Sequence, residues 1–329
     1  MIRSEAGRRR LLLLGTALPL LTAQAEARWP ARPLRFIVPF AAGGNSDVTA
    51  RLFAARITGR LGQPIVVENR SGATGAIGSE AVARSRPDGY TLLIGSPGSI
   101  VNGPLLTAQP RYNPMVDFTP VALLGRVPMA IIVRPGLPAT TLAELVALSR
   151  SWPEGVTIGT SGTGGANHLP LELFKAATGA NLVHVPYRGG GSTLPDLLSG
   201  NVDGVLIELP SVLEIHREGR GRILGVTSAR RSSLVPEIPT FIEFGLPGFL
   251  AESFVGLFAP TGTPEPIIRS LQAAITEAAT DPEVLARLAS FGAEPPVGDD
   301  LSTPGIVAYL QGEMTKARRA IAIAGLHPE

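Results

Sequence analysis

Short apolar runs alternate with longer amphipathic stretches along most of the chain, and this pattern is typical of an α/β protein. The apolar runs predict strands at 34–40, 64–68, 90–94, 129–133, 156–159, 182–185, 222–227 and 253–258. The amphipathic stretches predict helices at 47–57, 75–84, 141–149, 167–177, 194–198, 265–279, 282–291 and 303–324, and Gly59 is expected to end the first of them. Strands and helices that alternate in this way favour mostly parallel sheets with helices on both faces.

Two extended segments, 124–130 and 250–256, have the character of crossovers between domains. They predict a first domain made of 28–127 and 254–329, with a second domain, 128–253, inserted between its two parts. A cleft between two such domains is a common place for a small ligand. One continuous sheet is the alternative that the pattern leaves open.

The first 27 residues have the layout of a secretory signal peptide. A basic region ends with adjacent arginines at 8–10, an apolar run covers 11–22, and small residues stand at the cleavage positions that end at Ala25 and Ala27. The apolar run is shorter than an ordinary transmembrane helix. We expect cleavage after Ala25 or Ala27 and a mature protein in the periplasm. An uncleaved anchor is the alternative, and the arginines also fit a twin-arginine signal.

Composition and charge exclude several classes of protein. The formal net charge is +2, and the signal segment carries all of it, so the rest of the chain offers no electrostatic case for binding nucleic acid. The chain has no Cys, which excludes a disulfide scaffold, Cys-ligated zinc and a cysteine nucleophile. Its 4 His lack metal-ligand spacing. We therefore expect no metal, no cofactor and no nucleic-acid partner.

A glycine-rich loop at 39–47 joins the first predicted strand to the first predicted helix. Its glycines let backbone N–H groups approach a ligand, and the unpaired N–H groups that begin the helix suit a carboxylate or a phosphate. Asp47 could instead cap the helix, as could Asn45 or Ser46. The candidate ligand contacts in this loop are Phe40, Ala41, Ala42, Gly43, Gly44 and Asp47.

A second glycine-rich loop, 159–168, also joins a strand to a helix. It fails the dinucleotide-binding fingerprint because Asn167 stands where the third glycine would be required, and no Gly-Lys-Ser/Thr sequence makes it a P-loop. Two anion-binding loops, one in each predicted domain, would fit a pincer on a small acid. The candidate contacts here are Thr160, Ser161, Thr163, Asn167 and His168.

Three further residues are weaker candidates for ligand contact: Gly75, Ser96 and Tyr187. Catalytic signals are few, since the chain has no Gly-x-Ser-x-Gly elbow and Ser161 lacks a positioned acid to accompany His168. Glu208 alone does not make an acid–base pair. We therefore predict no catalytic residues, and a secreted serine-dependent hydrolase that uses Ser161 or Ser96 is the alternative.

Long segments of the chain resemble the substrate-binding receptors of tripartite tricarboxylate transporters, the Bug-type periplasmic proteins. The matching segments are Trp29-Pro30, PFAAGGNSD (39–47), VVENRSGATGAIGSEAVARSRPDGYTLL (66–93), HVPYRGGGSTLPDLLSGNVD (184–203), LPSVLEIHREGRGRILGVTSARRSSLVPEIPT (209–240) and FAPTGTPEPI (258–267). The resemblance implies a two-lobed, type II-like periplasmic-binding-protein fold, with two mixed sheets flanked by helices and a ligand cleft at the hinge.

The same resemblance implies a function and a site. It implies capture of a small carboxylate by the loops at 39–47 and 160–168, with contacts near Gly72–Gly78, at Ser96 and around Tyr187. It implies a receptor without enzymatic activity that delivers its ligand to a membrane transporter, and we expect a monomer. A ligand sensor for a signalling partner is a further alternative.

The chain departs from the family's usual sequence at four positions. Ile207-Glu208 stand where an acidic residue and Asn are common, which could turn the specificity away from amino-bearing acids. Ser71 and Thr74 replace residues that are commonly Pro and Gly. The identity of the carboxylate does not follow from the resemblance.

Overall fold

The computed structural model describes residues 29–187 and 190–328, so the predicted signal peptide lies outside the described residues, as do residues 188 and 189 next to the candidate Tyr187. The described residues form nine strands: β1 (Leu34–Val38), β2 (Ile65–Asn69), β3 (Thr91–Gly95), β4 (Phe118–Val133), β5 (Val156–Thr160), β6 (Leu182–Pro186), β7 (Gly204–Glu208), β8 (Arg222–Val226) and β9 (Glu252–Pro260). They also form eleven α-helices: α1 (Asn45–Leu61), α2 (Ala76–Ala83), α3 (Gly103–Leu106), α4 (Pro114–Asp117), α5 (Leu142–Ser151), α6 (His168–Thr178), α7 (Leu194–Ser199), α8 (Leu213–Arg217), α9 (Glu265–Ala279), α10 (Pro282–Ser290) and α11 (Thr303–Ile323).

The strands form two mixed sheets that share the long strand β4. In the first lobe the order is β2-β1-β3-β9-β4, with β1 parallel to both neighbours and β9 antiparallel to β3 and β4. In the second lobe β6, β5 and β7 are mutually parallel, and the end of β4 lies antiparallel between β7 and β8. The parallel strands in each lobe end at one edge, which is where strand-to-helix loops can converge on a ligand.

Strand β4 is much longer than its apolar pattern predicts. The prediction began at Met129, but pairing with β9 begins at Phe118 and runs to Pro128. Register shifts next to Pro120 and Leu123 accommodate the irregular sequence, as β-bulges do. The two predicted crossover segments lie largely within β4 and β9, where Pro128 pairs with Glu252. The division of the chain into domains at these points remains a prediction.

Each lobe has an apolar core between its sheet and its helices. In the first lobe, Phe53 and Ile57 of α1 are buried against Phe36 of β1. In the second, Phe174 of α6 is buried against Phe241 in an aromatic group. Helix α6 also contacts the first lobe through Leu169, which packs with residues of α11. The lobes are thus joined by the shared strand β4 and by this helix pair.

Helix α1 ends later than the sequence indicates. Gly62, not Gly59, is the C-cap: it has φ 70° and donates its N–H to the Thr58 carbonyl. The prediction that Gly59 ends the helix is therefore wrong, and Gly59 is an internal helical residue. Within the described residues, no helix is long and apolar enough to cross a membrane.

Candidate functional site

The first glycine-rich loop leaves β1 and enters α1 through Gly44, which occupies the N-cap position. Gly43 has φ 83°, a left-handed conformation that favours glycine. Residues 41–44 are exposed. Within the described residues, the N–H groups of Gly44, Asn45 and Ser46 have no hydrogen-bond acceptor. The loop therefore presents several free backbone donors at the N-terminus of a 17-residue helix.

Asp47 holds this loop in shape from inside the protein. Its carboxylate accepts hydrogen bonds from the Gly43 N–H (2.9 Å) and Asn69 Nδ2 (2.9 Å), and it pairs with Arg51 (2.9 Å). Burial alone would raise the pKa of Asp47, but these bonds outweigh it and hold the pKa below its usual range. The hypothesis that Asp47, Asn45 or Ser46 is the N-cap is wrong, since Gly44 holds that position. Asp47 instead accepts the hydrogen bond from the Gly43 N–H and so fixes the loop that precedes the helix.

Phe40 is the point where three segments of the first lobe meet. A Cβ placed on Gly75 would lie 3.1 Å from Phe40 Cζ and 3.1 Å from Ser99 Cβ, and one on Gly98 would lie 3.4 Å from Phe40 Cζ. Ser96 is buried beside them and donates its N–H to Ser99 Oγ (3.1 Å). The structure thus places Phe40, Gly75 and Ser96 near one another, and their contact with a ligand remains a prediction.

The turn at 72–75 carries a strained backbone. Ala73 and Thr74 have φ 47° and 52°, between two glycines that also have positive φ. Non-glycine residues rarely adopt this conformation, and strain of this kind is concentrated at ligand-binding and active sites. Its position next to Phe40 agrees with a role in shaping the site.

The conformation of the second glycine-rich loop is fixed by its last two residues. Asn167 Oδ1 accepts hydrogen bonds from the Ser161 N–H (3.0 Å) and Ser161 Oγ (2.6 Å), and His168 Nδ1 accepts one from the Gly164 N–H (2.9 Å). Within the described residues, Asn167 Nδ2 is buried without a hydrogen-bond partner. Thr163 lies exposed at the tip of the loop. Asn167 and His168 therefore fix the loop rather than protrude from it.

A buried polar cluster lies beneath the second loop. The His168 ring stacks on His184 at 3.7 Å between centroids, and His184 Nε2 lies 2.6 Å from Thr160 Oγ1. Burial, with the nearby His168, lowers the pKa of His184 to about 4. Burial would raise the pKa of Glu172, but bonds from His168 and Lys175 hold it at about 2. This cluster packs beneath the second loop and holds it in position.

Tyr187 extends the same support from β6. Its N–H bonds the Thr160 carbonyl (3.0 Å), and its hydroxyl lies 2.5 Å from Asp196 Oδ2. Burial and the Asp196 carboxylate raise the pKa of Tyr187 to about 12. Its hydroxyl is thus a proton donor to Asp196, and the ring lies against Gly159.

A cavity of about 350 Å³ lies between the lobes beside the first loop. The first lobe contributes lining residues from the start of α1, from β4 and from the loop after α10, and the second lobe contributes the end of β7 and the turn that follows it. These residues are Gly43, Asn45, Val48, Val127, Phe291, Ile207, Glu208, Pro210 and Ser211. Of the predicted contact residues, Gly43 lines this cavity, and the residues of the second loop do not.

A second cavity, of about 400 Å³, lies between α6, α11 and the segment 246–252, and its lining is mostly apolar. Pro97 and Ala166, which neighbour the predicted contacts Ser96 and Asn167, border it. None of the predicted contact residues lines this second cavity, and only Gly43 lines the first. The cavity beside Gly43 has the convergent polar groups that small-molecule sites use.

Sequence reasoning missed the second lobe's contribution to the first cavity. The sequence predicts no catalytic role for Glu208 and suggests an effect of Ile207-Glu208 on specificity, but it does not predict the strand β7 that carries Glu208. The one signal for this strand in the sequence is the short apolar run Gly204–Glu208, which follows a turn. Without β7, nothing in the sequence brings Glu208 near Gly43.

Comparison with known proteins gives a consistent identification. The model of the family described as "Tripartite tricarboxylate transporter family receptor" matches residues 49–326. Protein BugT of Bordetella pertussis is 39% identical over 281 residues, which cover 85% of this chain and 86% of that protein.

Solved structures agree in fold. A Rhodopseudomonas palustris protein, Rpa4515, solved with adipate, is 36% identical with a TM-score of 0.80, and covers 92% of this chain and 100% of that one. MatC from the same organism, with bound malate, is 33% identical with a TM-score of 0.76, covering 89% and 100%. The periplasmic binding protein BugD is 32% identical with a TM-score of 0.77, covering 92% and 100%. These likenesses confirm the predicted two-lobed periplasmic-binding-protein fold, and the chain belongs to the tripartite tricarboxylate transporter receptor family, as a protein of the Bug type.

Proposed function

We propose that this protein is a periplasmic receptor that captures a small carboxylate between its lobes and delivers it to a membrane transporter of the tripartite tricarboxylate type. The observation that carries the proposal is the row of free N–H groups at Gly44, Asn45 and Ser46 beside the interlobe cavity. The adipate and malate held by two similar proteins support the same class of ligand.

A helix N-terminus can hold a carboxylate without a cationic side chain. The free N–H groups of α1 point outward from its first turn, and the aligned peptide dipoles add a partial positive charge there. The described lining of the cavity contains no Lys or Arg. Backbone donors are thus the main source of attraction for an anion in this cavity, and the bond from Gly43 to Asp47 keeps the loop in place for them.

The geometry of the second loop argues against the hydrolase alternative. Ser161 Oγ bonds the amide oxygen of Asn167, and His168 Nδ1 accepts from the Gly164 N–H. Ser161 and His168 are therefore not arranged as a nucleophile and its base, which would require a hydrogen bond between them. A receptor leaves its ligand chemically unchanged, so mass spectrometry of the ligand after incubation distinguishes the two functions.

The test is a thermal-shift screen of mono- and dicarboxylates, followed by calorimetric titration of each compound that stabilises the protein. A ligand present at 100 times its Kd should add about 2.7 kcal/mol to the free energy of unfolding. Stabilisation by neutral sugars or cations alone would contradict the proposal. Delivery is tested separately: uptake of the identified carboxylate by cells should fall when this receptor is deleted.

A further inference from the structure

Glu208 brings a carboxyl group to the wall of the interlobe cavity. It is the last residue of β7 and pairs with Met129 of β4, close to the point where that strand passes from one lobe to the other. Gly43 and Asn45 line the same cavity from the first lobe. The cavity therefore has free backbone donors on one side and a single acidic side chain on the other.

Among the described residues, no Lys, Arg or His forms an ion pair or hydrogen bond with the Glu208 carboxyl. Other buried or half-buried acidic groups have such a partner: Asp47 has Arg51, Glu172 has Lys175 and Asp203 has Arg134. Burial raises the pKa of Glu208 because the charged form loses hydration that no cation replaces. A cationic group on a ligand in the cavity would supply the countercharge that no described Lys, Arg or His provides.

We propose that Glu208 determines specificity by selecting carboxylic acids that carry a second, cationic hydrogen-bond donor, such as an ammonium group. This inference rests on the proposed function, since it assumes that the ligand's carboxylate lies against the N-terminus of α1. The ammonium group then lies toward Glu208 and pairs with its carboxylate. Without the structure, the sequence Ile207-Glu208 suggested the opposite preference.

The proposal rests on how well each possible end group of the ligand would compensate the charge of Glu208. An ammonium group supplies the charge and the donors that Glu208 lacks. A methyl group leaves the carboxyl unpaired, and a second carboxylate places like charges together in a poorly hydrated space. A hydroxyl group donates one hydrogen bond without a charge. The expected order of affinity at one chain length is therefore ammonium, hydroxyl, methyl, and carboxylate last.

The experiment is a calorimetric titration of the mature, exported receptor with a matched series of acids, in a buffer at about pH 7.5. The four-carbon set is γ-aminobutanoate, γ-hydroxybutanoate, butanoate and succinate, and the six-carbon set is ε-aminohexanoate, hexanoate and adipate. At the better-fitting length, we expect the amino acid to bind about 10- to 100-fold more tightly than its methyl-terminated counterpart.

The Glu208→Gln variant should abolish this preference. Affinity for the ammonium-bearing acid should fall about 10- to 100-fold, while affinity for the methyl-terminated acid changes less than about threefold. Glu208→Asp keeps the charge and should keep the preference. Glu214→Gln, at a glutamate whose side chain is 74% exposed on α8, is the matched control and should behave as the wild type.

The outcomes separate the two proposals. If no acid of either length binds the wild type, the proposed function fails, and this inference fails with it. If acids bind but the methyl- or carboxylate-terminated compounds match the ammonium-bearing ones in the wild type, the inference alone is overturned. An undiminished ammonium preference in a folded Glu208→Gln protein overturns it as well. Should that variant not fold, the wild-type order decides.

Discussion

At the scale of single residues, Gly43 and Gly44 differ in what a side chain would do. A Cβ on Gly43 meets no atom within 4 Å, but its φ of 83° strains any other residue. Gly44 has φ −76° and ψ 168°, which alanine adopts readily, and its Cβ would lie 3.7 Å from the Ala41 carbonyl. Gly44 is therefore the cleaner probe of ligand contact, because its substitution does not strain the backbone.

We predict that Gly44→Ala lowers carboxylate affinity about 10- to 100-fold while the free energy of unfolding falls by only about 1 kcal/mol, because alanine is a poorer N-cap than glycine. The added methyl group obstructs an anion seated on the backbone N–H groups, and a lost hydrogen bond to a charged group costs about 1.5–3 kcal/mol. Calorimetric titration and thermal unfolding of the same preparation provide the two measurements. Gly43→Ala should lower both affinity and stability.

Gly59→Ala is the matched control within the same helix. A Cβ at Gly59 meets nothing within 4 Å, and the residue is internal to α1, so alanine should stabilise the protein by about 0.5–1 kcal/mol. Its ligand affinity should be unchanged. Unaltered affinity in Gly44→Ala as well would remove the first loop from the proposed site.

The sequence predicted some site residues and not others for a physical reason. Glycines between a strand and a helix are a local signal, so the first and second loops could be found directly. The role of Asp47 depends on Asn69, which is 22 positions away, and on the direction of one side chain. Glu208 depends on a strand pairing that no local pattern contains.

At the scale of elements, the second loop and α6 rest on a cluster whose protonation affects folding. Burial, together with the neighbouring His168, lowers the pKa of His184 to about 4 from an ordinary value of 6.5. Between pH 4 and pH 6.5, the unfolded chain therefore binds more protons at His184 than the folded protein does. The stabilising effect of neutral His184 is present above pH 6.5 and is lost as the pH falls through 4.

We predict that His184→Gln flattens the decline in stability between pH 6.5 and 4.5, with a difference from the wild type of about 1–2 kcal/mol over that window after allowance for solvent screening. Chemical unfolding at several pH values measures it. Below pH 4.5, protonation of Glu172, whose pKa is about 2, dominates and should affect both proteins. His327→Gln, at an exposed histidine, is the control, and equal slopes in all three proteins would contradict the prediction.

Element prediction succeeded where one periodicity ran without interruption. Helices α9 and α11 have apolar residues at regular helical spacing, and their predicted bounds agree with the structure to within one residue. The first part of β4 was missed because Pro120 and Pro128 interrupt the apolar run. Both prolines fit because β4 pairs with β9 through register shifts, and this depends on a strand more than a hundred positions away.

At the scale of the whole molecule, location is the first property to test. Family membership implies a periplasmic protein, and the first 27 residues have the layout of an export signal. We predict that the exported protein begins at Glu26 or Arg28. N-terminal sequencing of periplasmic material decides it, and a mature chain that still begins at Met1 would contradict both the cleavage and the neutral net charge of the mature protein.

Strands β4 and β9 also carry a charged cluster at the junction of the lobes. Arg126 of β4 pairs with Asp300 and lies 3.6 Å from Glu252 of β9, and its guanidinium lies 4.2 Å from the centre of the Tyr309 ring. Burial raises the pKa of Glu252 to about 6; Arg126 opposes this rise, and Glu294 and Glu313 add to it. The junction therefore contains a carboxyl group that ionises at a cost.

The sign of this effect is opposite to that of His184. Between pH 4.5, the ordinary pKa, and about 6, the folded protein binds more protons at Glu252 than the unfolded chain does. The stabilising effect of protonated Glu252 is therefore present below pH 4.5 and is lost as the pH rises through 6.

We predict that Glu252→Gln, which cannot ionise, gains about 1–2 kcal/mol in free energy of unfolding relative to the wild type between pH 4.5 and pH 7. Arg126 keeps its pair with Asp300 in this variant, so the junction retains a countercharge. Denaturant unfolding at both pH values measures the change. A constant difference between the two proteins across this window would show that Glu252 ionises at its ordinary pKa and that Arg126 fully compensates its charge.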